Sequence, residues 1–373
     1  MRLLALALVF VVLLGCIGGQ PEQPPQPNQT APNATNASNQ SQVGIIVGPQ
    51  QNQTAGGNAT VPQPPANQTA PPFENQTNAT LGVYFIDVGS AGLHGSAILI
   101  KKGDMETLID AGPAANSGRV IDFLHSRDVD DIDLLVSTSG DPRNYGGIGA
   151  VADNFRVEDF WWNGETLDDA NYASLVGRMV SLPQGSQIVE RGTVATLNGV
   201  RLEVLNPSKS RFKDVNNDAI VIRVTDRNFS MLLTSNIQNG AEGSILSALP
   251  DKIQAQVMQA PYYGVGLGTS SLGVFPAFLN KAKPQVVVIT GSADESGDNG
   301  GSRDPFRALM SQYNISWYET YGSGDLRVIS DGNGYTIQLA NGTSISPAPM
   351  TQAPSGGEPA PGTGAGAQSG GEE

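Results

Sequence analysis

The chain has 373 residues, with 21 Lys and Arg against 35 Asp and Glu, a formal net charge of −14 at pH 7, one Cys and two His. An acid excess of this size repels a phosphate backbone. With no cluster of Lys and Arg among aromatic residues, it argues against direct nucleic-acid binding. A single Cys excludes an intrachain disulfide.

The first residues carry one cation, Arg2, then an apolar run from Leu3 to Leu14, then Gly15 and Cys16. That run is shorter than the roughly 20 residues needed to cross a bilayer as a helix, so 1–15 read as a secretory signal. Leu13-Leu14-Gly15-Cys16 resembles a lipobox. Cleavage before Cys16 with lipid on its thiol is expected, which places the chain on the outer face of a cell membrane. The alternative is an uncleaved anchor with an inert Cys.

Residues 16–80 hold only Glu22 and Glu74 as charges among Pro, Gln, Asn, Ala and Thr. Such a composition cannot bury enough apolar surface to offset chain entropy, and a disordered stalk is expected. Asn28, Asn33, Asn36, Asn39, Asn52, Asn58, Asn67, Asn75 and Asn78 each open an Asn-X-Ser/Thr sequon, and Asn228, Asn314 and Asn341 follow later in the chain. The density in the stalk suggests glycosylation; the other reading is an unmodified Asn-rich spacer. A lipobox beside such a stalk is similar to archaeal surface lipoproteins. A second disordered segment is expected over 344–373, rich in Pro, Gly and Ala.

Residues 81–343 remain as one domain. Strands are expected over 81–88, 97–100 and 107–110, the first with the alternation of a half-buried strand. Ser117 is placed to cap a helix whose Val120, Ile121 and Leu124 share a face. Another strand centres on Leu134 and breaks into Ser139, Asp141, Arg143 and Asn144. Helices near 146–154 and 170–180 follow, with a strand at 160–162 between them. Asn198-Gly199 turns a hairpin between 193–197 and 200–205, and Asp226-Arg227-Asn228 turns a second between 219–224 and 230–234. A helix over 240–249, segments at 254–258, 276–281, 285–290, 304–313 and 316–319, and a hairpin turned at 331–334 complete the order. Meanders that give way to alternating strands and helices, twice over, imply two sheets sandwiched by helices.

The series Val83 to Gly89, Ser96 to Ile100, Thr107 to Gly112 and Val136-Ser137-Thr138 before Gly146-Gly147 resembles the metallo-β-lactamase fold superfamily, closest to the extracellular domain of ComEC-type competence proteins. Leu202 to Pro207, Asn217 to Val221, Leu232-Leu233-Thr234, Tyr262-Tyr263-Gly264 and Pro284 to Val288 continue it in order. The resemblance implies an α/β fold, an αββα four-layer sandwich.

It also implies a di-metal centre built from a Thr-His-X-His/Asp-X-Asp-His loop, a later Asp and further His residues, because several deprotonated ligands must converge to acidify a bound water. Here that loop reads Thr138, Ser139, Gly140, Asp141, Pro142, Arg143, Asn144; the later Asp falls on Asn236; and the remaining positions fall on Tyr262, Tyr263, Ser302 and Asp304. The two histidines, His94 and His125, lie in no such motif, so no zinc centre is expected. An oxygen-only site of Asp110, Asp141 and Asp304 would hold Ca²⁺ or Mg²⁺ weakly. Arg143 is expected to pair with Asp141 or Asp304, and Tyr262 and Tyr263 to fill the vacated volume.

Ser139 has no placed histidine base, so no nucleophilic triad is expected. Taken together, the sequence implies a lipid-anchored surface protein with a catalytically degenerate domain that binds an unknown ligand or surface protein. The alternative is a metal-dependent hydrolase or nuclease-like enzyme of the same fold with a non-standard site, linked to DNA uptake.

Overall fold

A computed structural model describes residues 79–347, apart from 90–93, 183–184, 267–270 and 293–300. The signal segment, Cys16, the stalk with its nine sequons and residues 348–373 lie outside the described residues.

Hydrophobic alternation builds two sheets. The first joins β1 (Leu81–Phe85), β2 (Ile98–Lys102), β3 (Met105–Ile109), β4 (Asp131–Ser137), β5 (Arg156–Trp162) and β6 (Gln187–Ile188). The second joins β7 (Val194–Leu197), β8 (Val200–Asn206), β9 (Val221–Asp226), β10 (Phe229–Leu233), β11 (Val257–Gln259), β12 (Val286–Ile289) and β13 (Ser316–Glu319), in that spatial order. The chain then returns to the first sheet through β14 (Leu326–Ser330), β15 (Tyr335–Gln338) and β16 (Ser344–Ile345), which gives the order β16-β15-β14-β1-β2-β3-β4-β5-β6.

Side chains on a strand alternate between faces, so each sheet presents one apolar face to the other and one to helices. Leu81, Val83 and Phe85 of β1 meet Met231 and Leu233 of β10 in the core between the sheets. Tyr84, on the opposite face of β1, joins the layer of α1 (Ser117–His125), with its ring 5.7 Å from that of Phe123. Behind the first sheet lie also α2 (Pro142–Tyr145), α3 (Ile148–Asn154) and α4 (Ala170–Met179), through Tyr145, Ile148, Val151, Tyr172 and Met179. Behind the second lie α5 (Asn239–Ala248), α6 (Pro276–Ala282) and α7 (Asp304–Gln312), through Ile245, Phe278, Phe306 and Met310. The result is the expected αββα sandwich.

Strand order positions the site. β3, β4 and β5 run parallel, and β1 shares their direction through the antiparallel β2. Their carboxyl ends therefore meet along one edge, where an open α/β sheet forms its crevice. Leu81, at the start of β1, lies at the opposite end of the sheet, level with Ser330 of β14 and Tyr335 of β15.

The helix after the third strand begins differently from expectation. A short 3₁₀ turn, Ala114–Asn116, precedes α1, so Asn116 is the cap residue. Ser117 sits inside the helix and donates its hydroxyl to the Ala114 carbonyl at 3.0 Å.

Candidate functional site

The site is the edge where β3, β4 and β10 end. Asp110 follows β3 with a φ of 58°, and its backbone N–H bonds the Val136 carbonyl at 2.8 Å. Both its carboxylate oxygens point at the end of β4. Oδ1 accepts the Thr138 N–H at 2.8 Å; Oδ2 accepts the Thr138 hydroxyl at 2.7 Å and Asn144 Nδ2 at 2.8 Å. Burial pushes the Asp110 carboxyl up to about 7, against these three bonds that favour its ionised form.

Asn144 is the hub. Its Nδ2 also lies 3.1 Å from Thr138 Oγ1 and 3.2 Å from Ser235 Oγ, while its Oδ1 accepts the Tyr263 hydroxyl at 2.6 Å. Thr138 and Ser235 hydroxyls are 2.6 Å apart. Gln259 reaches the same cluster, accepting the Ser235 N–H at 3.0 Å and donating to Ser96 Oγ at 3.1 Å.

Asp141 stands at the start of α2, where a local rule explains it. An Asp at the cap followed by Pro at the first helical position satisfies a free backbone N–H and presets φ. Its side chain accepts the Arg143 N–H at 2.9 Å. The same carboxylate receives the Arg143 guanidinium, with Nε 2.9 Å from Oδ1 and 3.0 Å from Oδ2, and Asn236 Nδ2 at 2.9 Å from Oδ2. Burial lowers the Arg143 pKa, but the bonds to Asp141 outweigh it and leave the group above its ordinary value, a fixed cation. Its guanidinium carbon lies 5.5 Å from the Tyr262 ring centre and 5.4 Å from that of Tyr263.

His94 and Arg303 close around Tyr263. His94 stacks on its ring at 5.1 Å, and Arg303 donates from Nε to the Tyr263 carbonyl at 3.0 Å and from a guanidinium NH₂ toward His94 Nδ1 at 3.1 Å. Arginine has no acceptor, so Nδ1 of His94 accepts there. Four non-glycine residues at this edge hold left-handed backbone: Asp110, Ser235 (φ 50°), Tyr262 (φ 43°) and Tyr263 (φ 58°). Left-handed backbone in a non-glycine residue is strained and clusters at functional sites. Gly147 allows close approach here, since a Cβ on it would come 2.2 Å from the Ala111 carbonyl oxygen.

Of the residues read from the sequence, Asp141, Arg143, Asn144, Asn236, Tyr262 and Tyr263 come together. Ser139 is buried beside them and its hydroxyl accepts the Asp141 N–H at 3.3 Å. Arg143 pairs with Asp141, so the alternative pairing with Asp304 gives way. Asp304 opens α7 with a largely exposed side chain that meets Arg307 at 3.2 Å, and the Ser302 hydroxyl accepts the Asp304 N–H at 3.1 Å. The buried residue of that stretch is Arg303. An oxygen-only trio of Asp110, Asp141 and Asp304 is therefore not formed. The one group of three acidic side chains within 4.8 Å of one another among the described residues is Glu106, Asp131 and Asp133, on β3 and the start of β4. Lys101 pairs with Glu106 and Arg156 with Asp131 there. His125 lies on the exposed side of α1 against Phe155.

The chain is 25% identical over 261 residues to the uncharacterized protein YcaI of Escherichia coli (strain K12), a match covering 68% of this chain and 31% of YcaI. It is 26% identical over 229 residues to the competence protein ComA of Neisseria gonorrhoeae, covering 61% of this chain and 29% of ComA. The chain thus spans under a third of the length of the curated relatives it matches. Among solved structures it is similar to the metallo-beta-lactamase fold protein YhfI from Bacillus subtilis, at 12% identity and a TM-score of 0.45, covering 68% of this chain and 100% of that one. It is likewise similar to Igni18, a metallo hydrolase from Ignicoccus hospitalis, at 14% identity and a TM-score of 0.43, covering 66% and 98%. No protein-family model matches the chain. With two sheets between layers of helices and the Asp110–Thr138–Asn144 cluster at the ends of β3, β4 and β10, the chain is an αββα sandwich similar to metallo-β-lactamase fold proteins, with sequence likeness to the competence protein ComA.

Proposed function

We propose that this domain is a catalytically degenerate metallo-β-lactamase fold with a binding or assembly role. The observation that carries the reading is the Arg143 guanidinium on Asp141, in the loop that holds metal ligands in the fold's hydrolases. The donor set around it does not fit the zinc centre that the fold's hydrolases would place here. It consists of the amides Asn144 and Asn236, the hydroxyls of Thr138, Ser235 and Tyr263, and two carboxylates whose oxygens already accept several donors. A divalent cation would have to displace a fixed positive charge from Asp141 and would find no imidazole among these groups.

Measuring Zn, Mn, Ca and Mg in the purified protein, with phosphodiester and β-lactam hydrolysis assayed in their presence, tests this. The expected outcome is substoichiometric metal and no turnover. Stoichiometric metal, or turnover abolished by Asp141→Ala, overturns it.

The second reading, a metal-dependent hydrolase or nuclease-like enzyme linked to DNA uptake, draws on the likeness to ComA. The same assay separates the two. We further propose a lipid anchor at Cys16 and a glycosylated stalk, which would hold the domain at the outer face of a membrane; the anchor rests on the lipobox sequence and the stalk on its sequons. Among the described residues no helix is long and apolar enough to cross a membrane. Asn228, Asn314 and Asn341 are exposed and open to the same modification.

A further inference from the structure

A cavity of about 420 Å³ opens one strand away from the Asp141 loop, lined in part by Asn163, Glu165, Leu167, Arg211 and Lys213. Its floor is built rather than accidental. Asn163, fully buried after β5, donates its amide to the Asp218 carbonyl at 3.0 Å and accepts the Glu165 N–H at 3.1 Å. Asp218, also buried, accepts the Phe212 N–H at 3.0 Å and the Lys213 N–H at 2.7 Å, which shapes the loop carrying both cations. Lys213 itself holds a left-handed φ of 59°. Leu167 forms the wall toward the Asp141 loop, so close to Gly140 that a Cβ there would come 2.0 Å from its Cδ1.

The chain carries 21 basic residues against 35 acidic ones. Most of the basic side chains of the domain lie within 4.0 Å of a carboxylate, as Arg119 does with Asp325 and Arg178 with Asp153. Arg211 and Lys213 make no ion pair and no side-chain hydrogen bond among the described residues, although each borders the same concave space. Two carboxylates, Glu165 and Asp218, border the same space; Asp218 is engaged by the Phe212 and Lys213 N–H groups and Glu165 accepts Asn163 Nδ2 at 3.3 Å. Burial raises the Glu165 pKa, Asn163 lowers it, Asp218 and Asp214 raise it and Arg211 lowers it.

We infer that this cavity is an oxyanion subsite, which takes a small ligand bearing a carboxylate or phosphate through Arg211 and Lys213, with its uncharged part against Leu167. An arginine fork suits planar or tetrahedral oxyanions, and a concave wall of low dielectric strengthens the attraction. The volume matches that of small-molecule pockets, roughly 300–1,000 Å³. This goes beyond the binding role proposed above and holds whichever way the metal analysis falls, because none of the cavity residues belongs to the Asp141 cluster.

The test is calorimetric titration of the full chain with inorganic phosphate, succinate, glucose 6-phosphate and glucose, at low and at high salt. Saturable binding of at least one charged probe, none of glucose, and weakening with salt are expected; which of phosphate and succinate binds separates the two sources of the oxyanion. Arg211→Gln with Lys213→Gln should reduce that affinity by about tenfold or more while leaving the circular dichroism spectrum unchanged, both side chains being on an exposed loop. Lack of saturation by every charged probe, or equal binding by the double variant, overturns the inference.

Discussion

Arg143 closes a ring on its own sequence neighbour. Its Nε lies 2.9 and 3.0 Å from the two carboxylate oxygens of Asp141, two residues earlier, while Asp141 accepts the Arg143 backbone N–H at 2.9 Å. One carboxylate thus caps a helix, holds a guanidinium and receives Asn236. Removing the cation leaves that carboxylate largely buried, with side-chain exposures of 15% for Arg143 and 6% for Asp141.

Arg143→Ala should destabilise the domain by about 1–3 kcal/mol, a figure below that for fully buried pairs because water reaches part of the guanidinium. Arg143→Lys should recover only part of it, since an ammonium cannot make the two-oxygen contact. Urea denaturation of the three proteins measures both, and an unchanged midpoint in Arg143→Ala removes the pairing as a stabilising element.

Tyr263→Phe deletes the hydroxyl that Asn144 Oδ1 accepts at 2.6 Å and leaves a buried amide oxygen without its donor. A loss of about 1–3 kcal/mol is expected from that orphaned acceptor. The ring and its stack on His94 are retained, so a much larger loss in denaturation would point to packing instead of the hydrogen bond.

Three buried carboxyls, Asp110, Glu106 and Glu242, are each raised to about 7 by burial. Between their unfolded values near 4 and about 7 the folded chain binds more protons than the unfolded one. Stability therefore falls as pH rises through that window and is regained on acidification. Denaturation midpoints should climb from pH 8 to pH 5. Glu242→Gln keeps an acceptor for the Phe275 N–H, 2.6 Å away, and should be more stable than the parent at pH 8 with a shallower slope. A midpoint independent of pH over that range contradicts this.

For the anchor, the Cys16→Ser chain should move from the membrane fraction to the soluble fraction, while the parent requires detergent for release. Fractionation followed by immunoblotting decides the point. Retention of the variant in the membrane would favour an uncleaved apolar segment.

Most of the sandwich was legible in the sequence because its strands are nearly all apolar at alternate positions and its turns carry local chemistry. Asn198-Gly199 and Arg227-Asn228 turn the hairpins as expected, and strand limits shift by only a few residues. The loop at the site was legible too, and more so than its charges alone suggested: Asp141-Pro142 is a helix start, which explains both residues locally. What could not be read was the company they keep. Ser235 and Asp110 reach Asn144 and Thr138 from separate strands, with Gln259 bonded behind Ser235 from a third, and no local pattern announces such meetings. Arg303 was passed over for its neighbours Ser302 and Asp304, because a lone Arg at a helix start reads as exposed. Here the carbonyls of Tyr263 and Ser292 and the ring of His94 supply acceptors that allow its burial.

Leu81 enters the first sheet at the end opposite to Asp110, Thr138 and Asp141. Direction follows from that. The start of β1 and the Asp141 loop thus sit at opposite ends of the strands of one sheet, so additions made before Leu81 leave the Asp141 edge and the cavity of Arg211 and Lys213 clear.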